Sequence, residues 1–249
     1  MLQTNGNEAI RITDLRKSFG SQTVLDGVSL QVAKGETLVV LGRSGTGKSV
    51  LLKLLIGLQR PDSGSIMLLG EEITGLSLDA LNQVRKKLGF VFQYAALYDS
   101  LTVAENVEFP LKYHTKLTAP ERRRHALELL ARVGMEEAAD KMPGEISGGM
   151  KKRVGLARAL ALEPDIMLYD EPTAGLDPIT SGEIDDLILK MQRETKMSSI
   201  VVTHEMHSAR RISDRVALLD RGNVAFDGVF EDLKTSDDEL VSQFVGQTA

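Results

Sequence analysis

The run Gly42-Arg43-Ser44-Gly45-Thr46-Gly47-Lys48-Ser49 fits the pattern G-x-x-x-x-G-K-[ST]. Its glycines let backbone N–H groups converge on phosphate oxygens with no Cβ in the way. A helix starting at its end adds a positive pole. Lys48 is then placed to reach β- and γ-phosphates, and the Ser49 hydroxyl to ligate Mg²⁺. The adjoining Val50 opens the same helix and belongs to the same nucleotide-binding set. By average composition the pattern arises by chance in about 1 chain in 100 of this length. Its place between a buried strand and a helix is the context that gives it weight.

Ile166-Met167-Leu168-Tyr169-Asp170-Glu171 is an apolar strand ending in two acids. An α/β fold places ligand chemistry outside the carboxyl ends of its strands. Asp170 suits Mg²⁺ held through water, and Glu171 suits polarising an attacking water. Alone, an acid-terminated strand says little. Beside a phosphate loop it says a good deal.

Other positions carry two readings each. Ser147 in Ile146-Ser147-Gly148-Gly149-Met150 is a helix N-cap, and the paired glycines exceed what a cap needs, so their amides could meet a second phosphate. Gln93 follows a short strand, either as an ordinary polar residue or as a contact to Mg²⁺ or the attacking water. His204, after Ile200–Thr203, is structural or catalytic. Phe19 before Gly20 is core, or stacks on an adenine ring. His114, His125 and His207 show no ligand spacing.

These groups need a scaffold. Ile10-Arg11-Ile12 and Val28–Val32 alternate as half-buried strands, and Thr37–Leu41 is a continuous apolar strand buried on both faces. Val50–Leu58 has helical spacing. Ser65–Leu69 and Gly89–Phe92 read as strands. From about Thr102 to Leu162 the pattern is mostly helical, clearest at Ala126–Val133 and Lys151–Ala161. Strands return at Ile166–Tyr169, Ser199–Val202 and Val216–Leu219, with a helix over Ser181–Glu194. A last strand follows Arg221-Gly222-Asn223, and Glu239–Val245 reads as a helix. Strands alternating with helices predict a parallel α/β sheet, and the all-helical stretch predicts a subdomain inserted into it.

The 249 residues carry a formal net charge of -5, with 42 % hydrophobic and 26 % charged residues. That is an ordinary globular composition, and no excess of positive charge points to nucleic acid. Arg85-Lys86-Lys87, Arg122-Arg123-Arg124 and Lys151-Lys152-Arg153 read as solvated helix faces. With no cysteine, disulfides and thiol chemistry are excluded. The polar start Met1–Glu8 lacks the apolar core of a signal peptide, which favours the cytoplasm. No apolar run nears the roughly 18 residues of a spanning helix, so membrane work would need a partner.

Taken in order, these pieces resemble the ATP-binding subunit of ABC transporters, from about Ile10 to Val245. Gly42–Ser49 and Asp170-Glu171 are similar to the Walker A and B motifs. Gln93 is similar to the Q-loop, Ser147-Gly148-Gly149 to the signature, Ala174-Gly175-Leu176-Asp177 to the D-loop and His204 to the switch histidine. Phe19 matches the aromatic A-loop position. The resemblance implies one P-loop NTPase domain over 8–247. It has a RecA-like parallel core and an N-terminal antiparallel β subdomain (about 8–92 and 164–228), a helical subdomain (about 94–163) and a C-terminal helix (about 229–247), after a flexible 1–7. It also implies Mg-ATP sandwiched twice in a head-to-tail homodimer, with the loop of one subunit facing Ser147-Gly148-Gly149 of the other. Glu171 would be the general base, His204 would hold the γ-phosphate and water, Asp177 would signal across the interface, and Gln93 and the helical insert would pass motion to a membrane permease. Residues about 95–106 would form the docking cleft.

Met150 departs from the usual signature glutamine and cannot make its hydrogen bonds. With Phe92–Tyr98, Ala161–Asp165, Asp177–Thr180 and Gln243-Phe244-Val245, this variant resembles the ATPases of the Mla type, which serve phospholipid transport with a permease and an MCE-domain lipid-binding protein. That implies work at the cytoplasmic face of the inner membrane. Three other readings stand beside it: another cargo such as amino acids, metals or drugs; a mechanical or signalling relative of the cell-division type; and an ATPase with no membrane partner.

Overall fold

The structure is a computed structural model and describes residues 7–248. Of the expected loose start, all but Asn7 lies outside the described residues. The chain divides into two compact units. One is built from the chain up to Arg85 together with the chain from Met191 onward, and the other is Lys86–Lys190.

In the first unit, β1 (Glu8–Phe19) and β2 (Gln22–Ala33) form a long antiparallel hairpin. β3 (Thr37–Leu41) follows and leads into α1 (Lys48–Leu55). Next come β4 (Ser63–Leu68), the short β5 (Glu71–Glu72) and α2 (Leu78–Arg85). The four-stranded order β2-β1-β4-β5 is antiparallel throughout. The hairpin runs further than the apolar alternation suggests, through the polar Arg16–Phe19. Bulges there absorb the irregular pattern, and ion pairs from Arg16 to Asp14 and Asp26 and from Lys17 to Asp62 replace apolar packing.

In the second unit, β6 (Leu88–Val91) pairs in parallel with β7 (Ile166–Asp170). Between them lie α3 (Val103–His114), α4 (Ala119–Arg132) and α5 (Gly148–Ala159). Thr102 and Glu105 close a capping box on α3: the Thr102 Oγ1 accepts from the Glu105 amide at 3.2 Å, and the Glu105 carboxylate from the Thr102 amide at 2.8 Å. Asn106 is fully buried there and spends its amide on the preceding loop, accepting from Tyr98 N at 2.8 Å and donating to three carbonyls, of Tyr98, Leu101 and Thr102.

The boundary between the units falls inside α6 (Pro178–Thr195). The first unit then resumes with β8 (Ser198–Thr203), α7 (Met206–Ile212), β9 (Arg215–Asp220), β10 (Asn223–Gly228), α8 (Phe230–Lys234) and α9 (Glu239–Thr248). β3 is parallel to both β8 and β9, and β10 turns back antiparallel on β9. Every residue of β3 and β8 is buried, including the polar Thr37, Ser198, Ser199 and Thr203 at the ends of their apolar centres. Burying a Leu, Val or Ile contributes roughly 1.5–3 kcal/mol, so these strands are the rigid frame from which the loops project. Among the described residues no helix is long and apolar enough to cross a membrane.

Arg124 is exposed beside Glu128, as expected of a solvated helix face, but members of the other two basic clusters turn inward. Lys152 is buried, Arg153 donates to Val133 O and pairs with Glu183, and Arg85 donates to the carbonyls of Ile56 and Gly57. Arg85 and Arg153 thereby satisfy carbonyls left over at the C-terminal ends of α1 and α4.

Candidate functional site

Strand register gathers the chemistry in each unit. In the first, Leu41 at the end of β3 lies opposite Thr203 at the end of the parallel β8. The chain therefore leaves for Gly42 and for His204 side by side at the carboxyl edge, where α/β folds put their ligands. Gly42 has no space for a side chain: a Cβ would sit 2.6 Å from Leu219 O and 2.7 Å from Thr46 Oγ1. Gly47 has φ 101° and would press a Cβ to 2.9 Å from Leu25 Cδ2, so glycine is needed on both counts. Thr46 braces the loop by donating its hydroxyl to Arg43 O at 2.9 Å. Lys48, buried at the head of α1, has its Nζ on Gly42 O at 2.7 Å and Arg43 O at 3.0 Å. Arg43, Ser44 and Gly45 are exposed, and Ser49 and Val50 are half-buried on the first turn of the helix. His204 is exposed, and the Glu205 amide next to it donates to Thr203 Oγ1 at 3.0 Å.

Phe19 ends β1 with 45 % of its surface exposed, and the Lys17 ammonium stands 5.4 Å from its ring centroid. Of its two readings, core packing is removed by that exposure. The exposed part of the ring is open to a planar ligand.

In the second unit the same logic applies. Val91 pairs with Tyr169, so Gln93 and the pair Asp170-Glu171 leave β6 and β7 at one edge. Both acids are buried, and Glu171 adopts φ 48°. A left-handed glutamate is uncommon and costs of order 1–3 kcal/mol, a strain that concentrates at functional positions. The neighbouring Tyr169 hydroxyl is pushed well above the ordinary tyrosine value by complete burial, so it adds no charge beside the acids.

Ser147 is observed as the N-cap of α5, with the Met150 amide donating to its Oγ at 3.3 Å. One of the two glycines has a packing reason that sequence alone did not suggest. A Cβ on Gly149 would come 2.6 Å from Thr180 Cγ2, while one on Gly148 would meet nothing closer than Leu176 at 3.9 Å. Gly148 is exposed and its lack of a side chain is not demanded by the chain's own packing.

Asp177 caps α6: its Oδ1 accepts from the amides of Ile179 at 3.0 Å and Thr180 at 3.1 Å, and its Oδ2 from the Thr180 hydroxyl at 2.6 Å. The Thr180 hydroxyl bond, then the Thr180 amide, hold its carboxyl below the ordinary 3.8. Because the folded value is depressed, the cap's contribution is complete above 3.8 and is lost as pH falls through the lowered value. Thermal midpoints of the wild type and Asp177→Asn should therefore differ at neutral pH and converge in acid. A gap independent of pH would remove the charged cap.

Lys152 and Arg158 are the residues that sequence reading missed here. Lys152 donates to Gln93 O at 2.5 Å and to Glu171 O at 3.2 Å, and Arg158 to the carbonyls of Ala95 and Ala96 at 2.6 and 2.7 Å. Lys152, Gly155 and Arg158 follow at helical spacing on α5, but the run Lys151-Lys152-Arg153 gives Lys152 the local look of surface, so the sequence carried no clear signal for it.

Metal donors are few. Among the described residues no group of three or more His, Cys, Asp and Glu could hold a metal ion. Mg²⁺ keeps several waters and takes phosphate oxygens alongside one or two protein ligands, so single donors within each unit, Ser49 in the first and Gln93 and Asp170 in the second, are of a type it accepts.

A parallel-stranded α/β scaffold with a glycine-rich loop and a lysine at the head of the following helix defines a P-loop nucleotide-binding protein. Residues 25–174 match the family described as ABC transporter. The chain belongs to that family, and its fold is that of the ABC ATPases. It is 44 % identical over 237 residues to "Probable ribonucleotide transport ATP-binding protein mkl" of Mycobacterium tuberculosis, covering 95 % of this chain and 66 % of that protein. It is 45 % identical over 221 residues to the "Methionine import ATP-binding protein MetN" of Rhizobium johnstonii, covering 89 % and 61 %. The chain thus spans less than two thirds of the length of either relative. Among solved structures, the dimeric post-hydrolysis state of the ATP-binding cassette MJ0796 bound to ADP and Pi superposes with TM-score 0.82 at 34 % identity, covering 89 % of this chain and 98 % of that one. CbiO1 from Clostridium perfringens, part of the ABC transporter complex cbiONQ, gives 0.84 at 30 % identity, covering 95 % and 94 %.

Proposed function

We propose that this chain is the ATP-hydrolysing subunit of an ABC transporter, acting as a homodimer beneath a membrane permease. The observation that carries the proposal is the glycine-constrained loop after β3, with the buried Lys48 Nζ at its mouth and His204 leaving the adjacent strand end. Lys48 and the loop amides bind the phosphates, and Phe19 stacks on the base. Ser49, Asp170 and Gln93 would hold Mg²⁺, which when bound with nucleotide neutralises charge on the β- and γ-oxygens. Glu171 orients and deprotonates the attacking water, and His204 steadies it against the γ-phosphate. Ser147, Gly148 and Gly149 receive the nucleotide of the opposite subunit. The open space at Gly148 supports that reading, because a side chain there would obstruct a partner's ligand and not this chain. Asp177 serves the interface as well as the cap. The helical segment about 94–163 is the subdomain that carries motion from Gln93 to the permease.

The dimeric cassette MJ0796 supports the homodimer, and the cbiONQ complex supports assembly with other subunits. For cargo, the Mla-type resemblance around Met150 favours phospholipid, moved with an MCE-domain protein from the cytoplasmic face of the inner membrane. A second reading comes from the relatives, whose names refer to ribonucleotide transport and methionine import. Purification of this subunit from native membranes in mild detergent, with proteins and lipids identified by mass spectrometry, separates the two. A permease with an MCE-domain protein and enriched phospholipid is the expected recovery. A different permease without lipid enrichment would end the phospholipid reading and leave the ATPase standing.

A further inference from the structure

A buried ammonium needs a reason. Desolvating a charge costs several kcal/mol unless its donors are well satisfied, and an apolar residue of similar length would fill the same space without that cost. Lys152 lies on α5 with only 7 % of its surface exposed, one turn after the segment Ser147-Gly148-Gly149. Its Nζ spends two bonds on backbone carbonyls, Gln93 O at 2.5 Å and Glu171 O at 3.2 Å. Those carbonyls belong to the residues read as the magnesium or water contact and as the general base. The second lies on the left-handed Glu171, whose uncommon backbone needs an outside hold.

The same helix face continues the grip. Gly155, three residues on, lies close enough to the loop that a Cβ would stand 3.3 Å from Ala95 Cβ. Arg158, three further, takes the carbonyls of Ala95 and Ala96, which are also left-handed at φ 58° and 48°. The chain from Gln93 to Ala96 is thus laid along α5, and Lys152 is the point at which that loop and the Glu171 backbone share one donor.

We propose that Lys152 is a positioning residue for hydrolysis, tying the Gln93 loop and the Glu171 backbone to the helix that starts at Ser147, so that a displacement of that helix is passed to both. The inference rests on the reading of Glu171 as the base. It concerns placement, and it is argued from the bonds of Lys152 to the two backbone carbonyls.

The test compares wild type, Lys152→Met, Lys152→Gln and Glu171→Gln at a protein concentration where the wild-type rate per chain is saturated. It measures kcat and KM for ATP, affinity for a non-hydrolysable ATP analogue, and thermal midpoint. Lys152→Met should lower kcat about 10- to 100-fold, the scale of a small misplacement of reacting groups, while KM and analogue affinity stay within about twofold. Lys152→Gln, whose amide can donate to one carbonyl, should lose less, about 3- to 10-fold, by the same argument. Wild-type kcat in either variant, or an equal loss in both, would overturn the proposal. Should Lys152→Met fail to fold, the kcat of Lys152→Gln decides alone. Glu171→Gln keeps the two claims apart. If it retains turnover, the base assignment fails. If it is inactive while the Lys152 variants match wild type, only the positioning role fails.

Discussion

Glu171→Gln should bind ATP as wild type does and hydrolyse it about 10²- to 10⁴-fold more slowly, the range expected for removing a general base. The substitution keeps size and shape, so the left-handed backbone at position 171 and its carbonyl bond from Lys152 Nζ are left in place. What changes is the ability to take a proton from water. With hydrolysis blocked and binding retained, ATP should hold the dimer together, and size-exclusion chromatography in ATP and Mg²⁺ should show the variant at twice the mass of the nucleotide-free chain. Turnover unchanged from wild type would remove Glu171 from that role. Lost binding would mean that its carboxylate supports the fold of the site instead.

Lys48→Ala should abolish binding at working nucleotide concentrations. Truncating one partner of a buried, hydrogen-bonded charge contact costs about 2–5 kcal/mol, which corresponds to a weakening of roughly 30- to several-thousand-fold. Lys48 also organises its own loop through Gly42 O and Arg43 O, so some of the loss will come from a less ordered cradle. Titration calorimetry with an ATP analogue measures the affinity, and the thermal midpoint reports the cradle. An affinity within a few-fold of wild type would show that backbone amides alone carry the phosphates.

The most readable parts of the chain were those where one physical rule dominates. Thr37–Leu41 and Ile166–Asp170 could only be strands buried on both faces, and the glycine loop could only follow the first of them. Ser147 announced its helix as a cap, although that helix starts at Gly148 and not at Lys151. Harder to read were elements held by long-range polar contacts. α2 (Leu78–Arg85) buries Val84 but few other side chains, and its end is fixed by Arg85 reaching the carbonyls of Ile56 and Gly57 nearly thirty residues back. The second half of β1 follows the same pattern, with charges standing where an apolar alternation would have been visible.

The site divides along similar lines. The residues proposed to face ligand are marked by motif, because phosphate and metal impose fixed residue types at fixed spacing. The supporting residues are marked by burial, which a sequence does not display. Lys152 in a run of three basic residues has the local appearance of surface, and only the packing of α5 against the loop after β6 reveals it as interior. Gly149 is the converse case: its motif suggests a ligand, while the close approach of Thr180 already requires a glycine.

ATP turnover per chain, measured across a wide range of protein concentration, tests the account most directly. If hydrolysis needs the Ser147-Gly148-Gly149 segment of a second copy, specific activity should rise steeply with concentration from a low value in the monomeric range, and Glu171→Gln should stay inactive throughout. A full specific activity at the lowest concentration, where the chain is monomeric, would contradict the shared site.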